Sequence, residues 1–330
     1  MKLLPIVIPD YQTQPVFTDG LAILYAHNEI YARTWLINNS LSVRFFDITS
    51  FSDINAYLQI LPNSIIPNCC LLEHYNYPIK FIPDITAVIR SAIDKGYYVM
   101  TSIDCFYLSC HSSAKQLFHV PHPILIYGYE NEEFFVGDHF LDGSGKYSLK
   151  KVNSNEFMYG LLSAHKELSH INYFPEIHLI KYKNEIKNYT LDLRTVRKHL
   201  LDHLNSVDIA EPPLFFDYNN IWFACGLNGI KACTDFILHG NRNPHEYVRL
   251  LHELMVHAEI LKEAAHILNT QIIEKEVDIY IKKCLLLRNR MLKNVLASKN
   301  FDIMDFQEIS LLPDIDKNIF SLLIDHINRM

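Results

Sequence analysis

Apolar positions in this chain follow two different rhythms. In the first half, two strand-length apolar runs, 122–129 and 134–138, flank a polar Asn131-Glu-Glu turn and predict a β-hairpin. The run 97–104 is apolar or β-branched almost throughout and predicts a central strand. Pro83-Asp84 opens a patterned helix over 85–94, which Lys95-Gly96 stops. A helix over 21–39 follows the cap-like Thr18-Asp19-Gly20, and a short one is predicted over 52–61. A strand at 147–149 and a helix over 156–166 complete this half. Beyond about residue 175 a bridging strand at 177–182 gives way to helical spacing over 192–205, 222–238, 244–269 and 272–297, with a last helix near Ile319. The pattern predicts an α+β domain over 1–175, built on an antiparallel sheet, and a helical bundle over 176–330.

A length of 330 residues agrees with two domains, and 49% hydrophobic residues supply a sizeable interior. Only 20% of residues are charged and the net charge is −7, which argues against a nucleic-acid partner needing a basic stripe. Glycine is scarce, at ten, and no dinucleotide or Walker-type phosphate loop occurs, so no cofactor is expected. Seven cysteines, none in a Cys-x-x-Cys pair, read as reduced thiols. Prolines interrupt the apolar start and no run reaches spanning length without charges, so the expectation is a cytoplasmic chain without a signal peptide or a membrane partner. Oligomeric state is not fixed by the sequence.

The hairpin brings candidate chemistry with it. His122 enters its first strand and Asp138 leaves its second, so antiparallel pairing would set an imidazole beside a carboxylate. A carboxylate on one ring nitrogen fixes the tautomer and stabilises the imidazolium formed when the other accepts a proton. The plainer alternative is a strand-end histidine and a turn aspartate with no common task. Trp35 and Asn39, near a helix end, suit substrate-amide or oxyanion contacts, or else a core tryptophan followed by a polar terminus. His252-Glu-Leu-Met-Val-His257 looks like a zinc-protease motif, but a five-residue spacing turns the second histidine about 140° from the first, and no metal is expected there. His245, His252, Glu259 and His266 recur at intervals of seven, as a polar interface stripe or a solvated face. Arg249 and Glu253, four apart on the same helix, are expected to face solvent or each other.

The run from Gly96 through Asp104-Cys-Phe-Tyr107, then His119-Val-Pro-His122-Pro-Ile-Leu-Ile-Tyr-Gly128, Val136-Gly-Asp138 and Gly145-Lys-Tyr147 resembles the family named for the N-terminal domain of butirosin biosynthesis protein H. That family is similar to papain-like cysteine peptidases of the bacteriocin-leader type. The helical region, especially 246–261 and 287–289, resembles the companion part of stand-alone members associated with nonribosomal peptide or polyketide genes. The resemblance implies acyl or aminoacyl transfer, or thioester hydrolysis, on an intermediate held by an acyl or peptidyl carrier protein, with a small-molecule amine as acceptor. It implies His122 as general base and Asp138 as its orienter, with Asp104 and Tyr107 lining the same pocket. Family members place a nucleophilic cysteine at the start of the first helix, where the dipole lowers its pKa; here that segment is Thr18-Asp-Gly-Leu-Ala, and no cysteine precedes Cys69. Three readings follow: a relocated thiol at Cys105 or Cys110, which are otherwise inert loop thiols; His122 acting directly on an amine or water; or an accessory, substrate-binding protein that keeps the pocket without the nucleophile.

Overall fold

The computed structural model describes residues 1–12, 15–47, 56–61, 66, 69–82, 84–111, 119–140, 146–169, 175–208, 222–239, 244–297 and 303–330. In chain order these form β1 (Lys2–Leu3), α1 (Pro15–His27), α2 (Glu29–Asn39), β2 (Ser42–Asp47), β3 (Ala56–Leu61), β4 (Leu72–Pro78), α3 (Ile85–Asp94), β5 (Tyr98–Asp104), β6 (Pro121–Glu130) and β7 (Glu133–Asp138). There follow β8 (Ser148–Asn153), α4 (Ser154–Leu162), β9 (Glu176–Tyr182), α5 (Leu193–Leu204), β10 (Trp222–Cys225), α6 (Gly226–His239), α7 (Pro244–Ile267), α8 (Gln271–Leu296) and α9 (Leu312–Ile327). The chain is α+β, with antiparallel pairing in both of its sheets. It divides into two compact units, Met1–Ala32 with Ser64–Tyr189, and Arg33–Asn63 with Thr190–Met330.

The first unit is built on a sheet ordered β4-β9-β5-β6-β7-β8, with β1 added alongside β6. β5 is buried at every position, as its unbroken apolar run predicts for a central strand. Asn131, at φ +49°, makes the tight turn between β6 and β7, a left-handed position that Asn tolerates well. Asp84 caps α3 by accepting from the Ala87 N–H at 2.9 Å, a contact of about 1 kcal/mol, and Gly96 at φ +83° ends the helical path. The apolar face of α3, Ile85, Ile89, Ala92 and Ile93, joins Ile103, Ile124, Phe134, Val136 and Phe157 in one core.

The second unit mixes helices with a three-stranded sheet ordered β10-β2-β3. α7 and α8 pack side by side, joined through a short turn with Asn269 at φ +55°. Thr270 caps α8 by accepting from the Ile273 N–H at 3.3 Å, and Asp192 caps α5 through the N–H groups of Arg194 and Thr195.

Several expectations are corrected. Residues 56–61 form β3 rather than the end of a helix, and the rest of that expected helix lies outside the described residues. The predicted helix over 222–238 begins as strand β10. The strand at 177–182 does not lead into a second domain: β9 lies between β4 and β5 in the first unit's sheet. The first unit accordingly runs to Tyr189 rather than 175, and Arg33–Asn63 belongs with the second. Among the described residues, no helix is long and apolar enough to cross a membrane.

Candidate active site

The β5–β6 ladder sets Ile103 opposite His122 and Asp104 opposite Pro121, while β6 and β7 align Leu125 with Gly137. This register gathers the end of β5, the start of β6 and the end of β7 at one margin of the sheet. There His122 Nδ1 lies 3.1 Å from Asp138 Oδ2. The distance is that of an ion pair, but the ring N–H is not aligned on the oxygen, so no hydrogen bond is formed in this state. Apo geometries of this kind tighten when substrate binds. The Asp138 side chain is fully buried, whereas His122 keeps 23% of its own exposed.

A second histidine approaches the same carboxylate. His111 Nε2 is 3.5 Å from Asp138 Oδ2, fully buried, with its ring packed against Phe140 at 5.0 Å. The other oxygen, Asp138 Oδ1, accepts from the His139 N–H at 2.6 Å. Cys105, immediately after β5, completes the cluster: its Sγ, a His122 ring nitrogen and an Asp138 oxygen all lie within 4.8 Å of one another. A soft thiol, an imidazole and a carboxylate so placed suit nucleophilic catalysis, and the same donors suit zinc. Cys105 has no exposed surface. Cys110 stays outside this cluster, and burial pushes its thiol up to about 11, which disfavours the thiolate.

Asp19, on α1, is a site residue that sequence reasoning missed. Its Oδ1 accepts from the Tyr147 hydroxyl at 2.5 Å, and both side chains are sealed from solvent. Burial drives the Asp19 carboxyl well above its ordinary range; the Tyr147 hydrogen bond opposes this, and the Asp138 charge reinforces it. The available signal was a lone carboxylate inside an otherwise apolar stretch, where burial forces a partner. Gly137 makes the contact possible, because a Cβ there would sit 2.2 Å from the Tyr147 hydroxyl oxygen.

Asp104 does not line a pocket directly. Its buried carboxylate accepts from the Phe106 and Val120 N–H groups at 3.1 Å each and from Ser163 Oγ at 2.7 Å, and it pairs with His119 Nδ1 at 2.7 Å. His119 is thus a second oriented imidazole, with 45% of its side chain exposed and Phe106 stacked on it at 4.2 Å. Tyr107 lies beside it, 5.9 Å between ring centroids, and Tyr159 follows at 6.2 Å from Tyr107. The signal for His119 was the register itself, since a residue two before Pro121 must pass close to the end of β5.

Trp35 and Asn39 belong to the second unit. Trp35 is a core residue at 1% exposure, and Asn39 Nδ2 donates to the Trp35 carbonyl at 2.8 Å, so the tryptophan is structural rather than a substrate contact. His252 and His257 have different neighbours: His252 Nδ1 meets Arg288 at 3.1 Å, while His257 is buried against Asp316. The four residues of the seven-residue stripe are each exposed or half-buried, as the solvated-face alternative expects, with His266 3.4 Å from Glu274. Arg249 packs over the Tyr57 ring and donates to the Ala56 carbonyl rather than facing only solvent or Glu253. No family model matches this chain, and no curated protein matches it.

Proposed function

We propose that the first unit performs acyl or aminoacyl transfer from a carrier-protein thioester to an amine, on a papain-like scaffold of the butirosin-H N-terminal type. Hydrolysis is the same chemistry with water as acceptor. The observation that supports this reading is the convergence of Cys105 Sγ, a His122 ring nitrogen and the Asp138 carboxylate within 4.8 Å. In the proposed cycle His122 takes the Cys105 proton, and the thiolate attacks the thioester carbonyl. The carrier thiolate leaves with the proton returned by the imidazolium, and the acyl group stays on Cys105. An incoming amine then attacks the acyl-cysteine, giving its proton to His122, while the amide forms and the Cys105 thiolate departs. Asp138 stabilises the imidazolium in both halves.

A second reading, a non-catalytic accessory protein of such a pathway, is favoured by the zero exposure of Cys105. Incubation with an acyl-loaded carrier protein followed by intact-mass measurement separates the two. Catalysis through Cys105 gives an acyl adduct on this chain that disappears in Cys105→Ala and persists in Cys110→Ala. Absence of both adduct and transfer to amine establishes the accessory role, and transfer that survives Cys105→Ala without an adduct assigns His122 as a base acting directly on the acceptor.

A further inference from the structure

The second unit holds a separate concentration of donor groups in its core. His203, in the last turn of α5, His257 on α7 and Asp316 on α9 are all at 0% exposure. Asp316 Oδ2 lies 2.7 Å from His203 Nε2, and Oδ1 lies 3.0 Å from His257 Nε2. Both rings are held nearly parallel to Phe320, with His203 stacked on it at 3.8 Å. Ser42 Oγ stands 3.4 Å from His203 Nδ1, at the far side of the ring.

Charge accounting shows what is missing from this arrangement. Two neutral imidazoles donating from Nε2 satisfy the carboxylate but leave a full negative charge in a dry core. Among the described residues no lysine or arginine pairs with Asp316. The nearby Tyr280 hydroxyl is buried without a hydrogen-bond partner, and so is His257 Nδ1. A divalent cation would balance the charge, and it binds neutral imidazoles and an ionised carboxylate.

We propose that His203, His257 and Asp316 form a structural divalent-metal site of the zinc type. A tetrahedral ion with ligands at about 2.1 Å holds them about 3.4 Å apart. The three donor atoms here lie within 4.8 Å of one another, and the ion would take the place of the two imidazole–carboxylate hydrogen bonds, parting those atoms by a few tenths of an ångström. Ser42 supplies the outer partner that ligating histidines commonly carry. Complete burial makes the ion a fold-stabilising one rather than a catalytic one. The site uses His257 without His252, so it owes nothing to the zinc-protease-like spacing, and it replaces the sequence expectation of no metal.

The full chain, without an affinity tag, is purified from zinc-supplemented medium for metal analysis, and a chelated sample is titrated with Co(II). The expected result is about one zinc per chain and a visible Co(II) d–d absorption without a near-ultraviolet thiolate band. Thermal stability should fall on chelation, and Ser42→Ala should weaken binding roughly 10–100-fold. Asp316→Asn and His257→Asn should abolish the Co(II) spectrum; if neither folds, the wild-type spectrum and the Ser42→Ala affinity still decide. Metal-free protein with no Co(II) spectrum overturns the proposal in favour of a proton-balanced triad. A thiolate band that vanishes in Cys105→Ala overturns it by placing the ion in the first unit.

Discussion

A carboxylate can be spent on scaffolding or held for chemistry, and Asp104 and Asp138 represent these two uses. Asp104 is surrounded by four groups at hydrogen-bond distance, among them two backbone N–H groups, so its position is overdetermined and it serves by orienting His119. Asp138 faces two imidazoles through a single oxygen, with neither ring N–H aligned on it, which leaves room for His122 to reorient when a substrate arrives. His122→Ala should therefore reduce acyl transfer by roughly 10²–10⁴, the span of a positioned acid or base, and Asp138→Asn should act in the same direction. Steady-state turnover with an acyl-loaded carrier measures both. Transfer unchanged in His122→Ala removes this residue from the chemistry and leaves His119 as the oriented imidazole to examine.

At the scale of elements, the Tyr147 hydroxyl, just before β8, ties that strand's entry to Asp19 on α1. Gly137 on β7 leaves the space that the Tyr147 ring occupies on its way to Asp19, and a methyl group at 137 would collide with it at 2.2 Å. Gly137→Ala should destabilise the protein by about 1–3 kcal/mol, read from the urea midpoint, because an overpacked core must shift backbone or side chains. In a Tyr147→Phe background the same change should cost less, since the colliding oxygen is gone; additive effects would show that the collision is relieved some other way. The hairpin of β6 and β7, like α3, was legible in the sequence because turn, cap and apolar periodicity are local signals. β3 and β10 were not, because mostly apolar segments as short as six and four residues fit either period until their partners are known. β9 was recognised as a strand yet given to the wrong domain, since its place between β4 and β5 depends on non-local pairing. The same limit applies to the site. The meeting of His122 and Asp138 follows from one hairpin, whereas Cys105, His111 and Asp19 reach it from other elements.

Across the whole chain, buried histidines and buried carboxyls give opposite responses to pH. In the first unit His74 Nε2 and His178 Nδ1 meet at 2.8 Å on neighbouring strands, and burial lowers the His178 imidazole to about 3, with the adjacent His74 adding to the shift. Burial also lowers His165 to about 4, against the raising effect of its hydrogen bond to the Ser102 carbonyl. Both histidines are neutral in the fold while the unfolded chain protonates near 6.5, so stability is lost as pH falls from about 6.5 toward 4. In the second unit the Glu253 carboxyl, with Oε2 sealed from solvent, is raised by burial to about 8, with Arg249 opposing the shift. An acid whose pKa is higher in the fold than in the unfolded chain binds the extra proton in the native state, so stability falls as pH rises from about 4.5 to 8. Thermal midpoints measured from pH 4 to pH 9 should therefore decline on both sides of a maximum. Glu253→Gln should make the alkaline side shallower and leave the acid side in place, with Asp19 supplying the remaining alkaline slope, while His178→Gln should make the acid side shallower, with His165 supplying the rest. An alkaline slope unchanged in Glu253→Gln would show that its carboxyl is ionised in the native state, and that the charge is balanced by Arg249 instead of being removed by a proton.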